Sequence, residues 1–130
     1  MKQERTTERD RGAVMVELAL ILPVLLMVMI GIIDFGRAYS YQESIYGAAR
    51  EGARVLALGQ PGQVNTAVNN ARGSATVTSI TTGGSCPATA DPTNPVYATV
   101  TVKAKITFGI PFISLGTKTL TATARMLCGL

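Results

Sequence analysis

Histidine and tryptophan are absent from the 130 residues, aromatic side chains make up 5% of the chain, and charged ones 15%. Without histidine, imidazole-based acid–base catalysis and imidazole metal ligation are excluded. Two cysteines, Cys86 and Cys128, are too few for a four-thiolate zinc site. Past the first twelve residues the acids are Glu17, Asp34, Glu43, Glu51 and Asp91, and no two are spaced for acid–base or metal work. Serine and threonine are abundant but have no neighbouring base, and Gly83-Gly84-Ser85 lacks the lysine and helix of a phosphate loop. The chain therefore reads as non-enzymatic and without a cofactor. The net charge of +4 is modest, the later basic residues are dispersed, and aromatics are scarce, which speaks against nucleic acid as a partner.

What the chain does have is a long apolar run. Ala13 to Ile33 holds one charge, Glu17, and is apolar all round from Leu18 onward, unlike the one-sided helix of a soluble core. Its span of roughly 31 Å as a helix matches the hydrocarbon thickness of a bilayer. Pro23 predicts a mild bend, which neighbouring helices in a membrane can accommodate. Residues 1–12 are a short polar leader with no apolar stretch of their own, so they are not a complete secretory signal. Lys2, Arg5, Arg9 and Arg11 precede the segment, while Asp34 follows it directly. The positive-inside rule then places the N-terminus in the cytoplasm and exports the remainder. In an exported region Cys86 and Cys128 read as a disulfide; in a reducing compartment they would be two buried thiols.

The predicted organisation is α+β: a leader (1–12), a transmembrane helix (13–33), an extramembrane continuation of that helix (34–58), and a small strand-rich domain (59–130). Phe35, Ala38, Gln42, Ile45, Ala49, Gly52 and Leu56 recur at spacings of three and four and mark one helical stripe. Ala48-x3-Gly52 and Ala49-x3-Ala53 supply small-x3-small pairs suited to close approach, and Gly47 and Gly52 make sense where another backbone comes near. The stripe either covers the chain's own C-terminal domain or packs on neighbouring subunits. Gly59-Gln60-Pro61-Gly62 ends the helix. A short helix is expected over 63–72, strands over 75–82, 96–108 and 117–128, and a loop over 83–95. Residues 109–116 read as a turn whose Ile110, Phe112, Ile113 and Leu115 cap the core, touch the membrane or meet a partner. An antiparallel three-stranded sheet on the outer part of the helix is the economical arrangement.

Gly12 with Glu17 five residues on looks like a type IV prepilin processing site. Gly12 to Pro23, then Gly31-Ile32-Ile33-Asp34-Phe35-Gly36-Arg37, then Ala48-Ala49-Arg50-Glu51-Gly52-Ala53-Arg54, together resemble TadE-like proteins, the minor pilins or pseudopilins of tight-adherence (Flp) pilus systems. The resemblance implies cleavage between Gly12 and Ala13 by a prepilin peptidase, with Glu17 becoming the fifth residue of the mature chain. There it would register one subunit against the next and meet the new amino group of Ala13. One position departs from the pattern, since Tad-system pilins often carry an aromatic after the glutamate and Leu18 stands here. The partners implied are the cytoplasmic membrane, other pilins or pseudopilins, pilus assembly proteins and the peptidase. The alternative reading is an uncleaved, membrane-anchored module whose exported domain binds a ligand or surface.

Overall fold

A computed structural model describes residues 4–84, 86–87, 93–110 and 113–129, with side-chain surroundings for 11–84, 86–87, 93–108 and 116–129. The elements are a long helix α1 (Glu4–Ala57), a 3-10 turn (Pro61–Gln63), helix α2 (Val64–Ala71), and strands β1 (Thr76–Gly83), β2 (Tyr97–Ile110) and β3 (Ile113–Leu127). Two compact units divide the chain, Met1–Gly36 and Arg37–Leu130.

The first unit is helical from Glu4, upstream of the expected start at Ala13. Glutamate and arginine are good helix formers, and nothing between Glu4 and Gly12 breaks a helix. Glu17 therefore lies well inside α1, not one turn from its beginning. The helix runs through Pro23 without ending there.

In the second unit, α1 ends in a Schellman arrangement. The Gln60 N–H donates to the Val55 carbonyl at 3.2 Å, and Gly59 N–H to that of Leu56 at 3.0 Å. The motif needs a left-handed residue, and Gly59 has φ +76°. α2 then packs Val64 and Val68 inward.

The three strands form one antiparallel sheet in the order β1-β2-β3. Alternation assigns the faces. Ala98, Val100, Val102, Ala104 and Ile106 of β2, with Ala122 and Ala124 of β3, are buried, and their odd-numbered neighbours face outward. This inner face meets Ile45, Ala48, Ala49, Ala53 and Leu56 of α1 and the two valines of α2 in one core. β1 keeps both Val77 and Ile80 on that core although they are three residues apart, an odd spacing that a regular strand would split between faces. A bulge between Val77 and Ser79 absorbs the extra residue, Thr78. The hydroxyl of Thr78 donates to the Lys103 carbonyl at 3.2 Å.

The stretch 109–116 departs from its expected role as a turn. β2 continues to Ile110 and β3 begins at Ile113, with Ile110 opposite Ile113. Isoleucine and phenylalanine favour extended backbone, and a register shift after Phe108 accommodates the unequal strands. Whether Ile110, Phe112, Ile113 and Leu115 cap the core lies outside the described side chains.

Candidate membrane and subunit-contact helix

The described side chains from Arg11 to Met29 are all exposed, including Met27 (75%) and Leu20 (72%). A helix with no polar face and no covering partner would present its whole circumference of apolar surface to water, and a bilayer removes that cost. By length and composition α1 is long and apolar enough to cross a membrane. It is a candidate membrane anchor.

Gly12 and Ala13 sit in continuous helix, and a Cβ placed on Gly12 would meet nothing within 4 Å. Glu17 is exposed, and among the described residues no hydrogen bond or ion pair engages it. A carboxylate at this depth in an apolar segment costs up to about 2.5–3.5 kcal/mol at a bilayer centre, less towards an end. Among the described residues nothing offsets that cost.

The small residues of α1 have a different setting. Ala48, Ala49, Gly52 and Ala53 are all buried in the second unit's own core. A Cβ on Gly52 would stand 2.7 Å from Cγ2 of Val68 and 3.2 Å from Cγ1 of Val100. What approaches Gly52 is thus the side chains of three valines, Val64, Val68 and Val100, not a backbone. Gly47 is exposed with open space around it, so no close approach explains that glycine within the chain. The helix face that remains outward in this unit carries Glu43, Tyr46, Gly47, Arg50 and Arg54. The Arg50 guanidinium lies 5.3 Å from the Tyr46 ring centroid, and Arg54 Nη1 donates to Glu51 Oε1 at 3.2 Å. The Tyr46–Arg50 contact was not anticipated from sequence, although its i,i+4 spacing is visible there.

Cys86 and Cys128 form a disulfide with Cα atoms 5.3 Å apart, within the ordinary range. The Cys128 N–H also donates to the Val96 carbonyl at 2.9 Å, so bond and ladder together pin the end of β3 beside the start of β2. Next to the disulfide, Gly84 has φ +78°, and a Cβ there would run into the Tyr97 carbonyl oxygen. A hollow of about 460 Å³ beside it is lined by Leu56, Gly59, Pro61, Thr82, Gly83, Gly84 and Cys86, none of which is ionisable, since Cys86 is held in the disulfide.

No curated protein and no solved structure matches the chain. Residues 12–54 match the family model for TadE-like protein, a stretch that takes in Gly12, Ala13, Glu17, Ala48, Ala49, Gly52 and Ala53. From the membrane-length segment to the core-forming end of the long helix, this stretch is similar to TadE-like protein.

Proposed function

We propose that the protein is a membrane-anchored, pilin-like component of a tight-adherence (Flp-type) pilus, acting in assembly and cleaved between Gly12 and Ala13 by a prepilin peptidase. The observation that carries this reading is Glu17, a carboxylate with no partner among the described residues on an all-round apolar helix, five residues after Gly12 and within the TadE-like match. After cleavage the amino group of Ala13 would supply a cation near Glu17, from the same or an adjacent subunit. A misplaced subunit would leave the carboxylate unpaired in an apolar setting, so correct register is rewarded. The N-terminus lies in the cytoplasm and the second unit outside. The Cys86–Cys128 bond supports that orientation, since disulfides persist in oxidising compartments.

Mass spectrometry of the N-terminus, with and without a co-expressed prepilin peptidase, tests the cleavage. A mature chain starting at Ala13 only in the presence of the peptidase is expected. An intact Met1 terminus in cells that make pili would overturn it. The second reading is an uncleaved anchor carrying an exported binding module. It is favoured by one observation: the core lies entirely within Arg37–Leu130.

A further inference from the structure

Charge is unevenly divided along the chain. Up to Leu58 acids and bases balance at seven each, whereas beyond it Arg72, Lys103, Lys105, Lys118 and Arg125 stand against Asp91 alone. The whole +4 therefore belongs to the part of the chain that builds the sheet. The bases are scattered in sequence, but strand register gathers three of them. Lys103 and Lys105 lie on the outer face of β2, opposite Thr121 and Thr119, and Arg125 lies on the same face of β3, opposite Thr99. All three are exposed. Around them the face is hydroxyl-bearing, with Thr101, Thr107, Thr117 and Thr123 from β2 and β3 and with Ser79 of β1 beside Lys103. No strand of the sheet carries a carboxylate. At one end Tyr97 (50% exposed) pairs with Leu127 (41% exposed).

We propose that this outer face of the sheet binds an acidic polysaccharide. Lysines two residues apart on one strand place their charges about 7 Å from each other, and with no acid on the strands the field over the face has one sign. Threonine hydroxyls donate and accept, which suits the hydroxyl and carboxylate groups of a uronic-acid polymer, and the Tyr97 ring offers a flat apolar contact for a sugar. An anionic bilayer would call for apolar side chains inserting between the bases, and here those positions hold threonine. Single-stranded nucleic acid would call for several stacking aromatics, and the described part of this face has Tyr97. The inference extends the export of the second unit to a ligand class. It is independent of cleavage at Gly12, because it concerns the folded sheet alone.

The test uses the full chain in neutral detergent micelles, titrated with polygalacturonate and with uncharged dextran. Saturable binding to polygalacturonate and none to dextran is expected, weakening as salt is raised. The pair K103E/K105E weakens binding at least about tenfold, and K103Q/K105Q by less. Lys118 provides the control, because it is opposite the buried Ile106 and so belongs to the other face. K118E changes net charge as one of those substitutions does and leaves binding within about twofold. Circular dichroism and an intact disulfide confirm that each variant is folded. No binding, equal loss with K118E, or tighter binding to the free lipid headgroup glycerophosphoglycerol or to single-stranded DNA than to polygalacturonate each overturns the proposal.

Discussion

Two glycines five positions apart on α1 make opposite predictions. Gly47 faces open space, so Gly47→Ala gains helix propensity with no steric cost and should stabilise the second unit by up to about 1 kcal/mol. Gly52 faces Val68, fully buried and β-branched, whose methyl has little freedom to retreat. Overpacking of this kind costs about 1–3 kcal/mol, which exceeds the propensity gain, so Gly52→Ala should lower stability. Thermal unfolding followed by circular dichroism gives both signs in one series. Equal shifts for the two variants would show that Gly52 is not confined by Val68. Sequence alone gave these residues the same reading. Helical spacing puts Gly52 on the stripe with Ile45 and Ala49, but the identity of the group facing it depends on residues 64, 68 and 100, which no local pattern connects to it.

At the scale of elements, the strict alternation over 96–108 and 117–128 marked the two long strands β2 and β3, because a half-buried antiparallel strand leaves that period-2 trace. The turn expected over 109–116 was drawn too wide for a related reason. Four large apolar residues beside two glycines show no alternation, yet β2 reaches Ile110 and β3 already begins at Ile113. The disulfide was legible from cysteine count and predicted export, and its contribution can be measured. It closes a sequence separation of 42 residues, for which the chain-entropy model gives about 4 kcal/mol. The double variant Cys86→Ser/Cys128→Ser should lose a stabilisation of that order in denaturant titration. A midpoint unchanged from the oxidised parent would show that the ladder alone holds β3. Ile45 tests the other layer: fully buried under the sheet, its replacement by alanine should cost about 2–5 kcal/mol.

For the molecule as a whole, the apolar helix and the sheet core answer to different solvents, and the division at Gly36 and Arg37 separates them. Every buried apolar residue of the core lies after that point. A fragment spanning 37–130 should therefore be soluble and monomeric, with the disulfide formed, as size-exclusion chromatography and intact mass would show; aggregation would mean that the first unit contributes to its stability. Conversely, Glu17→Ala in the full chain should insert into membranes normally while impairing pilus assembly, with fractionation and shear release as the two readouts. The membrane-length helix was legible because so few sequences stay apolar all round over that length, whereas the basic face was hidden until register collected Lys103, Lys105 and Arg125. Register itself was open to error, since β1 reads Thr-Val-Thr-Ser-Ile-Thr-Thr-Gly and threonines repeat along both its neighbours. A strand so repetitive offers many nearly equivalent alignments. The extra residue at Thr78 breaks that degeneracy. Its two halves are out of phase, so a pairing without the bulge would bring only one of Val77 and Ile80 to the core, and the bulge works as a phase mark that selects the pairings in which both are buried.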